Sequence, residues 1–285
     1  MTSEGQAYGE IRRVLVALDS TRDNLVALEA AAELAAHLEA ELSGLFIEDI
    51  DVLHLAELPF AREVRYTAVG HRALDRATVE REFRVVAEAA RRALAAAAGR
   101  HRLRWSFRVV RGQVERELLL AAGESDLVAV GKADRPLTRG RRLGHRARAV
   151  TARGPAAVLL TEGPAAREGE PITVTYDASA CSERALGVAA RLAGAAERTL
   201  DVLLLADRPD DIKRLENAVS ERLGGSGLAA RFRAIAPGDA RALKSVLDFE
   251  RSALLVLGAS CFPLPQEELE VLLAETGCAV LLIRA

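Results

Sequence analysis

Two stretches of this 285-residue chain carry residue types suited to holding a polar ligand, one as a hydrogen-bond acceptor and one as a cradle for an anion. The first is "VLVALD", a short apolar run closed by Asp19. The second, residues 131–153, reads "GKADRPLTRGRRLGHRARAVTAR" and sets eight basic side chains against one acid, Asp134. A carboxylate at a strand end accepts hydrogen bonds from an amine or a hydroxyl. Gly131, ending a second apolar run, lets main-chain amides approach an anion closely. Gly144 is placed to open a helix, whose N-terminus favours phosphate. Lys132, Arg141 and Arg142 lie between the two glycines and add positive charge. The plainer reading of the same loop is a basic, solvated surface.

Composition narrows the chemistry. The formal net charge is −2, and residues 131–153 alone carry +7, so the rest of the chain carries −9. An acidic remainder repels a long polyanion, and the basic segment has no interleaved aromatics, which argues against nucleic acid. Arg outnumbers Lys 36 to 3, so its local concentration is informative and its total is not. Three cysteines (Cys181, Cys261, Cys278) form no CxxC, and the five histidines show no metal-ligand spacing. There is no GxxxxGK[ST] and no GxSxG, and "YDASACS" is not a nucleophile elbow. The acids Glu48, Asp49 and Asp51 cluster after a strand, where solvation explains them better than a metal does. No apolar run is long enough to span a membrane, and "MTSEGQAYGEIRR" has no signal-like core, so the cytoplasm is expected.

The elements that must position these residues occur twice. "VLVALDSTRDNLVALEAAAELAAHLEAELSGLFIED" (14–49) aligns without a gap to "ITVTYDASACSERALGVAARLAGAAERTLDVLLLAD" (172–207), placing Asp19 on Asp177 and Asp49 on Asp207. "SDLVAVG" ending at Gly131 matches "SALLVLG" ending at Gly258, and "AVLLTE" (157–162) matches "AVLLIR" (279–284). Short apolar runs are the mark of parallel strands covered on both faces. Ser20 or Thr21 can cap the first helix, with Leu25, Leu28, Ala32, Ala35 and Leu38 as its buried stripe. A longer helix carries Val79, Phe83, Val86, Ala90 and Leu94, and its counterpart Ile212, Leu215, Val219 and Leu223. Alternating strands and helices predict an α/β chain with two tandem doubly wound parallel-sheet domains. Their expected bounds are 1–162 and 172–285, with 163–171 as a Pro- and Gly-rich linker. The first unit holds an extra segment near 50–75, whose "LHLAELPF" predicts a short helix ending before Pro59.

Both units resemble universal stress protein domains, through "ALDS" and "TYDAS" and through the spacing of the loop that begins at Gly131. The resemblance implies an adenine-nucleotide α-hydrolase-like fold and a ligand of the ATP or AMP kind. The family's phosphate loop reads Gly, two residues, Gly, nine residues, Gly, then Ser or Thr. Gly131 and Gly144 fall on the first and third glycines. Asp134 takes the place of the second and His145 that of the Ser or Thr. Asp134 puts a negative charge beside phosphates, which Arg141, Arg142 and Arg146 can offset, and His145 can still donate a hydrogen bond.

The second unit has lost the loop. "ASCFPLPQEELEVLLAETGCAV" has no further glycine before Gly277, so no cofactor is expected there, and Asp177 is expected as a structural turn or helix cap. The function expected from the resemblance is a stress-response or regulatory protein without turnover, with at most weak ATP hydrolysis. The alternative is an adaptor that needs no nucleotide and meets an acidic protein partner, such as a transporter domain, through the basic loop. Relatives with one domain pair through their last strands. "AVLLTE" and "AVLLIR" are therefore expected to pair antiparallel within this chain, and the sequence leaves open whether chains pair further.

Overall fold

The computed structural model describes residues 11–19, 22–64, 71–132, 143–155, 157–161, 169–259 and 264–284. The first half runs β1 (Arg13–Leu18), α1 (Arg22–Leu38), β2 (Glu41–Asp49), α2 (Ile50–Ala56), β3 (Arg62–Val64) and β4 (His71–Ala73). It continues with α3 (Arg76–His101), β5 (Trp105–Gly112), α4 (Val114–Gly123), β6 (Leu127–Gly131), α5 (His145–Arg153) and β7 (Ala157–Thr161). The second half runs β8 (Ile172–Tyr176), α6 (Ala180–Ala195), β9 (Leu200–Leu205), α7 (Pro209–Leu223) and β10 (Ala230–Ile235). It closes with α8 (Ala240–Glu250), β11 (Leu254–Gly258), α9 (Gln266–Glu275) and β12 (Ala279–Ile283).

The two halves share one ten-stranded sheet, ordered β10-β9-β8-β11-β12-β7-β6-β1-β2-β5. Each half contributes the same five-strand order, and every pairing is parallel except the seam, where β12 runs antiparallel to β7. The register there sets Val280 opposite Leu160, Leu281 opposite Leu159 and Leu282 opposite Val158. Both seam strands are apolar because both are covered on two faces. Alternate residues feed two cores, and each core draws on both halves. One gathers Val14, Leu159, Val174 and Leu281 under α1, α3, α6 and α7. The other gathers Leu15, Leu160, Leu255 and Leu282 under α4, α5, α8 and α9. Separating the halves would therefore expose a strand edge and split both cores.

The first helix departs from its expected stripe in one place. Leu25 is exposed, and Ala27 and Ala31 join Leu28, Ala32, Ala35 and Leu38 in the core. The buried face is rotated toward the alanines because a helix laid flat on a sheet approaches closest through small side chains. Ser20 and Thr21, the expected caps, lie outside the described residues. In the extra segment, α2 begins earlier than its apolar letters suggest because the Asp49 side chain caps it, accepting from Asp51 N at 2.9 Å. Glu48 pairs with Arg111 at 2.7 Å, so capping and ion pairing account for two of that cluster's three acids. Leu53 and Ala56 pack on Val79 of α3. The β3–β4 hairpin was not legible as strands, being only three residues on each side.

Candidate functional site

Strand β1 sits between β2 and β6, so the chain leaves it in opposite directions on its two sides. In open α/β sheets this switch point leaves a crevice beyond the carboxyl ends of the strands, where ligands bind. Asp19 directly follows β1 at that end, and Gly131 ends β6 beside it. Gly144 is the N-cap residue of α5, and its amide donates to Lys132 O at 2.7 Å. Its φ of −62° is open to any residue, so its value lies in ending the loop, not in an unusual backbone shape. Leu143, which the sequence did not single out, is buried in the core and pins the loop's return.

The first turn of α5 lacks acids and carries exposed His145 and half-buried Arg146. Arg146 Nη2 lies 2.6 Å from Asp19 Oδ2, with each side chain about a quarter exposed. This contact joins the strand-end carboxylate to the helix N-terminus across the switch point. Asn24, in the first turn of α1, is 6% exposed, and its amide nitrogen has no hydrogen-bond partner. A buried orphan donor, an acceptor carboxylate and a basic helix N-terminus at one crevice fit a ligand bearing both base or sugar groups and phosphate. Asp19, Asn24 and the first turn of α5 would hold it. Asp134, Arg141 and Arg142 lie outside the described residues.

Lys132 behaves differently from the other candidates. It is 3% exposed, and its Nζ donates to Thr276 O at 2.5 Å and Cys278 O at 2.9 Å, both in the second half. The ammonium is thus committed to the carbonyls that follow α9. Arg284, just beyond β12, makes the reciprocal contact, donating to Gly154 O at 2.6 Å and to Thr151 O at the C-terminal end of α5. Burial lowers its pKa from the usual guanidinium value. Cations at helix C-termini oppose the helix dipole favourably. The second half therefore anchors one end of α5 while the other end faces the crevice. A cation next to a terminal strand was the available sequence signal, but the partner helix could not be read from it.

At the equivalent strand end of the second half, the polar side chains bond within their own turn and helix. Asp177 Oδ1 accepts from Ser179 N at 2.9 Å, and Ser179 caps α6 through Ser182 N. Tyr176 OH donates to Glu183 at 2.5 Å, and burial, more than this bond, raises the phenol's pKa. Glu267 and Glu268 stand in the first turn of α9, so the helix end that would meet phosphate already carries negative charge. Among the described residues no group of His, Cys, Asp and Glu could hold a metal ion.

Cys278 lies against the Lys132 contact. Burial pushes its thiol up to about 11, with the Lys132 charge pulling the other way. The thiol stays neutral below that value, so only about one molecule in a thousand carries the reactive thiolate at pH 8. Alkylation of Cys278, located by peptide mapping, is expected to be slow at neutral pH and to rise only as pH approaches that value. Rapid labelling at pH 7 would contradict the raised thiol pKa.

A family model described as the universal stress protein family matches residues 10–162. The chain belongs to the universal stress protein family. Among solved structures, a universal stress protein from Archaeoglobus fulgidus shares 14% identity with a TM-score of 0.70, covering 95% of this chain and 96% of its own. A functionally unknown protein from Pseudomonas aeruginosa shares 16% identity at TM-score 0.61, covering 97% and 94%. At such identities these likenesses establish the fold alone. Among curated proteins, none matches the chain.

Proposed function

We propose that this chain is a non-catalytic, nucleotide-responsive regulatory protein of the cytoplasm, taking ATP or AMP in the crevice of the unit 1–162. The unit 172–285, joined through 163–171, serves as a packing partner that holds no nucleotide. The observation that carries this reading is the meeting of Asp19 with the first turn of α5 across the switch point, fixed by the 2.6 Å Asp19–Arg146 contact. On binding, a base amine or ribose hydroxyl takes the Asp19 carboxylate, and the released Arg146 turns to phosphate. Bidentate guanidinium donors suit phosphate oxygens well.

The test separates the two halves of the ligand. Arg146→Ala is expected to weaken ATP about tenfold or more, the loss of a charge-assisted contact of roughly 1.5–3 kcal/mol. Adenosine, which has no phosphate and no longer competes with Arg146 for Asp19, is expected to bind as well or better. Equal losses for both ligands by calorimetry would contradict this division of roles.

One observation favours a second reading. The Arg146 guanidinium pairs with the Asp19 carboxylate, so a nucleotide must compete for it. On that reading the chain is an adaptor that needs no nucleotide and meets an acidic partner through Arg141 and Arg142. Adaptor binding would survive Asp19→Asn and be lost when both arginines become glutamate.

A further inference from the structure

A cavity of about 480 Å³ opens between the halves, away from the residues assigned to nucleotide. Its size is within the roughly 300–1,000 Å³ typical of small-molecule sites. One wall comes from α1 and the end of β7, the other from the starts of β8, β11 and β12 and the ends of α6 and α8. Leu34, Leu159, Leu192, Leu254 and Ala279 make it largely apolar.

Its polar groups have a definite sign. Each helix of the second half returns to the amino ends of the strands, and helix C-termini carry partial negative charge; Lys132 takes the end of α9, which leaves the ends of α6 and α8 at this side. Glu33, Glu170 and Asp248 add three carboxylates against Arg198 and Arg251, with His37 and the Cys278 thiol as the remaining ionisable groups of the lining. Arg198 is engaged, donating to Glu170 O at 3.1 Å and lying 3.9 Å from Glu33. Asp248, exposed at the cavity mouth, makes no hydrogen bond or ion pair among the described residues. Thr161, on the wall, is 2% exposed, and its hydroxyl oxygen has no hydrogen-bond partner. The site thus offers an apolar body space, an unbonded buried hydroxyl and, at its mouth, the unpaired carboxylate of Asp248.

We propose that this cavity binds a small amphipathic amine, its ammonium directed to Asp248 and the ends of α6 and α8 and its apolar body lying on the leucine wall. The inference does not depend on nucleotide in the other crevice. An isosteric series, 3-phenylpropylamine, 3-phenylpropionate and 3-phenylpropanol, is titrated into the full chain by calorimetry and saturation-transfer NMR. The amine is expected to bind about tenfold or more tightly than the carboxylate, and Asp248→Asn to reduce that preference several-fold at unchanged melting temperature. Ala30→Trp and Ala196→Trp, filling the cavity from opposite walls, are each expected to abolish binding in folded protein. Asp19→Asn is expected to leave it unchanged. Absence of amine binding, equal or tighter binding of the carboxylate or alcohol, or binding that survives a folded wall-filling variant would overturn the proposal.

Discussion

Replacing Lys132 with methionine is expected to lower the melting temperature by roughly 6–12 °C while leaving the further rise produced by ATP intact. Methionine keeps most of the volume but strips the charge from a 3%-exposed position, leaving Thr276 O and Cys278 O without their donor. Two hydrogen bonds from a charged group, lost with their acceptors still buried, cost about 3 kcal/mol after the desolvation saved on the ammonium. In a chain of this length each kcal/mol moves the transition by roughly 2–4 °C. Thermal scanning with and without ATP separates the alternatives. A phosphate-binding lysine would give an unchanged baseline and a lost ATP shift. A lysine holding the halves together gives a lowered baseline and a preserved shift.

Asp19→Asn is expected to reduce ATP affinity about a hundredfold, whereas Asp177→Asn leaves it unaltered and lowers stability instead. The two positions are equivalent in the repeat, so the contrast tests what their surroundings have made of them. Asp19 faces a helix end carrying His145 and Arg146, where a polar ligand can exchange for the guanidinium. Losing the charged acceptor for the base amine or ribose hydroxyl is worth roughly 2–3 kcal/mol of binding. Asp177 holds the turn into α6 through Ser179 N, and Ala178 beside it sits at a φ of +63°, a shape the carboxylate's hydrogen bond supports. Its amide replacement weakens a turn bond and costs about 1 kcal/mol of folding stability.

Much of this architecture was legible because it repeats. Asp19 over Asp177 and Gly131 over Gly258 place the same strand-turn-helix twice, and the apolar letters of "AVLLT" and "AVLLI" marked two strands that need cover on both faces. Their antiparallel seam follows from that need. Leu25 was misjudged because periodicity gives a face only to within a residue, and alanines at 27 and 31 pack closer to a sheet than leucine does. The hairpin at 62–64 and 71–73 is too short to show a period of two. At the site, glycine spacing indicated where an anion could sit. Which basic side chain faces Asp19 depends on helix phase and loop path, so Arg146 emerged only with the fold. Lys132 and Arg284 bond to carbonyls about 130 or more residues away, and carbonyls leave no signature in a sequence.

The most direct measurement is the number of ATP molecules bound per chain, by native mass spectrometry with calorimetry on the same samples. One per chain, abolished by Asp19→Asn and retained by Asp177→Asn, is the predicted result. No bound ATP, two per chain, or one that persists in Asp19→Asn would contradict a single nucleotide crevice in the first half.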